Sequence, residues 1–216
     1  MTTIGGQILR FPGPRAAQVT PGVVTLADGI VKSIEFGAVP STIDFGGPNH
    51  LVCPGFIDTH VHLPQFDSIG AVGMPLLPWL EQVIFPAEIL WNDVDYARAM
   101  VSRVIDQFLS HGTTAVCAYA TVSHEATVAA IEAFASAGFR GAIGQTLIDR
   151  GAPNELMRET DLLVDQVSMT LDAFPPAARM ATAVTPRYAL SCTEPLMLSA
   201  GQLAKDHDAI IQTHLA

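Results

Sequence analysis

The chain has 216 residues, of which 49% are hydrophobic and only 15% charged, a composition that excludes disorder and leaves room for one large domain, or for a small domain with part of a large one. The net charge is -10, from 21 acidic residues against 11 basic ones. With no Lys/Arg cluster, neither nucleic acid nor an anionic membrane is an expected partner. No apolar run approaches the ~18 residues of a membrane span; Gly70 to Phe85 comes nearest and is interrupted by Pro75, Pro78, Glu81 and Gln82. Met1 to Gly5 lacks the basic-then-apolar pattern of a leader. Cys53, Cys117 and Cys192 are odd in number and far apart, so a reducing cytoplasm is expected.

Residues 1 to about 50 read as β structure. Val23–Ala27 and Ile30–Ile34 flank Asp28-Gly29, and such a pair between β-rich runs predicts a tight hairpin, because its turn needs positive φ at both positions. Gly46-Gly47-Pro48 follows as the expected domain boundary. Beyond it, strand candidates alternate with helix candidates. The strands are Gly55–Val61, Thr113–Tyr119, Gly141–Leu147, Met180–Thr185 and Ala209–Thr213. The helices are Val94–Ser110, with Asn92 or Asp93 as cap, then Ser123–Ala137, Glu155–Leu171 and Pro195–Asp206. This alternation predicts parallel strands with right-handed crossovers. Periodicity alone leaves open a doubly wound sheet or the first five units of an eight-stranded barrel.

Residues 53–62 read Cys-Pro-Gly-Phe-Ile-Asp-Thr-His-Val-His. His60 and His62, two apart on a strand, project from one face. Two imidazoles at a strand end suit a divalent ion, Zn²⁺ first and Fe²⁺ as the alternative. Asp58 shares that face and is expected to orient one of the ligands. His214 closes the apolar run Ala209–Thr213 and is the candidate third ligand. His50, His111, His124 and His207 have no comparable setting and read as solvated.

Asp-x-His-x-His after Pro54-Gly55 resembles the first-strand motif of the metal-dependent amidohydrolase superfamily. From Val52 onward further strings occur in the order of guanine deaminases. They are His62-Leu63-Pro64-Gln65, Met74-Pro75-Leu76-Leu77-Pro78-Trp79-Leu80, Phe85-Pro86-Ala87-Glu88, Val184-Thr185-Pro186-Arg187-Tyr188, Ser191-Cys192-Thr193-Glu194 and Gln212-Thr213-His214-Leu215. Tyr188 stands where those enzymes usually have Phe. The resemblance implies a (β/α)8 hydrolase barrel, of which residues 51–216 are the first five βα units, preceded in residues 1–50 by part of a small composite β domain.

It also implies hydrolysis of guanine to xanthine and ammonia by metal-activated hydroxide, with His60, His62 and His214 on the metal and a homodimer in the full-length protein. Gln65 and Arg187 suit the polar edge of a small purine, and Trp79 or Tyr188 its ring face. Glu88, Glu194 and the cysteines read as structural. The family's acid/base Glu, in a His-x-x-Glu pattern, and its later His and Asp ligands would fall beyond Ala216. The chain therefore reads as an N-terminal half, inactive alone. Two alternatives are an aminohydrolase of the same superfamily acting on another purine, pyrimidine or triazine, and a non-catalytic split-gene fragment.

Overall fold

Asp28 and Gly29 both adopt positive φ, 55° and 72°, and turn the chain between two long antiparallel strands as their sequence requires. In the computed structural model, which describes residues 1–215, the first compact unit spans Met1–Gly55. It is a four-stranded sheet of β1 (Thr2–Gly13), β2 (Ala16–Ala27), β3 (Ile30–Phe36) and β4 (Phe45–Val52), in the order β3-β2-β1-β4. β4 runs parallel to β1. Thr3 fastens the pair, its backbone N–H and hydroxyl donating to Asp44 at 2.7 and 2.8 Å.

The Gly46-Gly47-Pro48 cluster is not the boundary that its composition suggests. It lies inside β4, and the division between units falls after Gly55. The glycines serve a close approach instead. Gly46 has φ 91°, and a Cβ there would collide with the carbonyl of Gly5, at the point where the β1–β4 register shifts. Glycine inside a strand marks such a bulge or close contact.

The second unit, Phe56–Ala216, is built from parallel strands and helices. β5 (Phe56–His62), β6 (Thr113–Tyr119), β7 (Arg140–Gly144) and β9 (Met180–Thr182) form one sheet in that order, all parallel. The short β8 (Thr146–Leu147) and β10 (Thr185–Pro186) pair beside it. Helices α3 (Val94–Ser110) and α4 (His124–Ser136) cover the sheet. Ala97, Val101 and Val104 of α3 and Ala130, Ile131 and Phe134 of α4 pack with Val116 and Ala118 of β6 into one buried cluster. α5 (Thr160–Ala173) and α6 (Glu194–Asp206) form a second cluster through Leu163, Val167, Leu171, Leu196 and Ala200. Among the described residues no helix is long and apolar enough to cross a membrane.

Four elements depart from expectation, the first being the strand expected over Met180–Thr185, which is split into β9 and β10 in different sheets. The strand expected over Gly141–Leu147 breaks after Gly144, where the buried Gln145 turns its amide to the carbonyl of Val122 and to Gln166. The helix expected over Glu155–Leu171 is a 3-10 turn at Asn154–Leu156 followed by α5. The fifth strand, expected over Ala209–Thr213, is not a continuous strand. It runs parallel to the fourth segment through two single bridges, Val184 with Ile211 and Tyr188 with His214. The break has a covalent cause. Val184 donates to Ile210 and Gln212 donates back to Val184. The next donor in a parallel ladder is residue 186, a proline without an N–H. The ladder resumes one residue out of register, with His214 donating to the carbonyl of Arg187 at 3.1 Å.

Candidate active site

The C-terminal ends of the parallel segments carry the polar residues of the site. β5 ends on His62, β6 on Tyr119, and β10 is followed directly by Arg187. His60 and His62 emerge from β5 at two-residue spacing. The β5–β6 register slips between Asp58 and Val61, an irregularity of the kind that re-aims a side chain at a strand end. Their ring centroids lie 5.4 Å apart, and His214 lies 4.9 Å from His60 and 5.1 Å from His62. One ligand nitrogen from each of the three falls within 4.8 Å of the other two. Asp58 does not orient an imidazole. Its carboxylate accepts from the backbone N–H of His60 at 3.1 Å and braces the strand instead.

The donor set fits a divalent cation. The Nδ1 of His214 lies 2.6 Å from the carbonyl of Arg187. A carbonyl only accepts, so Nδ1 carries the proton and a neutral ring keeps its Nε2 lone pair bare. That Nε2 stands 3.1 Å from the Nε2 of His62. Two nitrogens held at about 2.0–2.1 Å from one zinc in tetrahedral array are about 3.3 Å apart, so the rings are nearly in place for an ion. Burial, with the nearby Arg187, His214 and His60, holds the pKa of His62 down to about 2. Burial also lowers that of His214, against the pull of its bond to the Arg187 carbonyl. Both shifts keep these rings neutral and able to ligate at ordinary pH.

Tyr119 forms the floor of the cluster. Its ring stacks on His62 at a centroid distance of 4.2 Å and an interplanar angle of 12°. Sequence reasoning missed this residue. The signal was its place in register with His62 across the β5–β6 pair, which requires the strand pairing to be known.

A cavity of about 730 Å³ opens from the histidines. His60, His62, His214, Gln65, Trp79, Arg187 and Tyr188 all line it, so the structure brings the candidate ligands and substrate-binding residues to one space, and Asp58 is not among them. Gln65 lies on the 3-10 turn Leu63–Ser68 that follows β5. Trp79 ends α1 (Leu76–Trp79), which opens into a π-type turn at Leu80–Ile84 before α2 (Phe85–Leu90). The indole N–H of Trp79 donates to the carbonyl of Ala71 at 2.8 Å, so this ring is fixed by its own loop.

Glu88 of α2, which the sequence analysis reads as structural, is held in a buried polar network. It is buried and paired with buried Arg187. Its other oxygen accepts from the amide nitrogen of Gln65 at 3.2 Å. Phe85, on the same helix, lies under the guanidinium at 5.4 Å.

The sequence pattern of the amidohydrolase family matches residues 51–216. The chain belongs to that family. Among curated relatives, this amidohydrolase chain is 37% identical over 179 residues to guanine deaminase of Dictyostelium discoideum, an alignment covering 82% of this chain and 39% of that protein. It is 34% identical over 181 residues to guanine deaminase of Escherichia coli K12, covering 82% and 41%. The solved structure of E. coli guanine deaminase superposes with a TM-score of 0.88 at 29% identity, over 100% of this chain and 54% of that one. The chain thus spans less than half the length of the curated relatives it matches. Its second unit is accordingly part of the hydrolase barrel of the family, which generally depends on a divalent metal and whose guanine deaminases hydrolyse a C–N bond.

Proposed function

We propose that this chain provides the purine-recognition wall and three metal ligands of a guanine deaminase, which converts guanine and water to xanthine and ammonia. One observation carries the reading. Three converging imidazoles and the pair Gln65–Arg187 line a single cavity, so that a base held by the pair lies against the histidines. The similarity to guanine deaminases of D. discoideum and E. coli supports the choice of substrate.

In this reading His60, His62 and His214 hold one divalent ion, zinc in first place and iron as the alternative, since neutral imidazole suits both. When bound, it supplies Lewis acidity that brings water towards a pKa of about 7. Arg187 donates to the oxo edge of the base, and Gln65 meets an adjoining ring N–H. Trp79 and Tyr188 offer aromatic faces that exclude water and hold the ring plane. The carbonyl of Arg187 orients His214 through Nδ1, so one residue couples recognition to ligation. Glu88 is engaged by two partners and is not free to carry protons. No carboxylate among the described residues lines the cavity, and we assign the proton shuttle to a carboxylate outside them. The three free thiols fit a reducing cytoplasm. A homodimer is the assembly we expect, to be read by light scattering.

The test is ammonia release from a panel of guanine, adenine, cytosine and an aminotriazine, using the product of the complete natural gene. Guanine is expected to be the preferred substrate. His60→Ala should lower the rate by at least about 100-fold, since even residues that merely support a metal ligand are worth 10–100-fold. Preference for another base would replace guanine, and full activity in the His60→Ala protein would remove the metal reading.

A further inference from the structure

Behind the two recognition residues Gln65 and Arg187, which line the cavity, Glu88 bonds to both. Glu88 is 5% exposed and Arg187 3%, in a site where water screens little. One carboxylate oxygen takes an N–H of Arg187 and the other takes the side-chain amide of Gln65. The three residues are far apart in sequence, with Gln65 23 positions and Arg187 99 positions from Glu88.

An ionised carboxylate only accepts hydrogen bonds. Gln65 must therefore turn its NH₂ to Glu88, which decides the orientation of an amide whose two ends are otherwise alike in shape. Its Oε1 accepts from no described residue and belongs to a residue that lines the cavity. Arg187 gives Glu88 one N–H and has four more donors. The recognition edge therefore has a fixed polarity, an acceptor at Gln65 beside donors at Arg187.

We propose that Glu88 is a positioning residue that sets this polarity, so that the cavity takes a purine with a ring N–H next to a carbonyl and rejects one with a ring nitrogen next to an amine. The idea rests on the deaminase reading for its substrate but on geometry for its mechanism. A 6-oxopurine presents donor then acceptor and meets both residues. A 6-aminopurine presents acceptor then donor and meets two like groups. The Arg187 charge, neutralised by Glu88, binds a neutral base without an unpaired cation in a buried wall.

The experiment has two arms, each on the product of the complete natural gene. In the first, binding to the unmodified protein is measured for hypoxanthine and adenine, neither of which has a 2-amino group to lose. Hypoxanthine is expected to bind at least tenfold more tightly, and equal or reversed affinity overturns the proposal. In the second, kcat and KM are measured for guanine and 2,6-diaminopurine, both of which carry a 2-amino group. Glu88→Gln lets the Gln65 amide turn either way, and the preference for guanine should fall about tenfold or more, through a larger KM for guanine. Glu88→Asp keeps the charge and the fold but cannot span both partners, and should lie between. In a Gln65→Leu background the further change Glu88→Gln should leave the preference where it is, because the residue it acts through is gone. An unchanged preference in both Glu88 variants, or an effect that persists without Gln65, overturns the proposal. If guanine is not deaminated at all, the deaminase reading fails while the binding arm still decides the polarity.

Discussion

Tyr119 is fully buried and its hydroxyl has no hydrogen-bond partner among the described residues. Burial, with Cys117 adding to it, pushes its pKa up to about 12, so the phenol stays neutral. A buried hydroxyl without a partner costs about 1–3 kcal/mol. Tyr119→Phe keeps the ring stacked on His62 and removes that cost. Its urea unfolding is expected to show equal stability or a gain of about 1 kcal/mol. A loss of that size would mean that the hydroxyl has found a partner. The contrast between His62 and Glu88 explains what the sequence revealed at this scale. The histidines were legible because a two-residue spacing on a strand fixes their face without any tertiary information. The partners of Glu88 are set by the fold and were not. One local sign was available: Glu88 falls three and four residues after Phe85 and Ile84, both buried, on what becomes the covered face of the helix. A charge in that position requires a partner.

Elements were legible where their ends carry their own hydrogen-bond partners. α3 begins where Asp93 accepts from the N–H groups of Asp95 and Tyr96 at 2.9 and 3.1 Å. Asp93→Ala should therefore cost about 1 kcal/mol in urea unfolding, whereas an unchanged midpoint would show the cap to be idle. Elements were illegible where prolines stand in permissive places. Pro75 and Pro78 read as interruptions of an apolar run, yet α1 forms there, and α2 forms over Pro86. Pro75 is the N-cap residue of α1 and Pro78 falls within its first turn, where the missing N–H has no intrahelical partner to lose, while Pro86 comes just after the π-type turn Leu80–Ile84, which widens the helix before it. Pro186 has the opposite effect and removes a ladder donor.

In the first unit one ionised group reinforces the ladder between β1 and β4. The N–H and hydroxyl bonds from Thr3 lower the pKa of Asp44 below its ordinary 3.8. A group whose pKa is depressed by folding adds stability that is complete above its unfolded value and is lost as pH falls through the folded one. The amide exchange of Thr3 is therefore expected to be steady above about pH 5 and to rise as pH falls below 3.8, after correction for the intrinsic rate. Asp44→Asn should expose Thr3 at every pH and flatten the acid step. An acid step that survives in that variant would assign it to another carboxylate.

At the scale of the whole chain, the three imidazoles connect its second unit from end to end. His62 and His214 are 152 positions apart and meet only when β5, β6 and the segment after α6 are in place. The first unit contributes none of them. An ion bound by all three therefore favours the native state of the second unit, since unfolding separates the ligands. Free metal at about a hundred times its dissociation constant adds about 2.7 kcal/mol. Zinc is expected to raise the unfolding midpoint by several degrees and to slow exchange at the His214 amide, which donates to the Arg187 carbonyl. A chelator should reverse both, and the Thr3 amide of the first unit should gain least. His214→Ala removes the ligand from the segment after α6 while leaving the β5 pair. It should abolish most of the gain, because two imidazoles on one strand hold together only what is already adjacent. If zinc stabilises His214→Ala as much as the unaltered chain, the ion is bound elsewhere and the three histidines do not form one site.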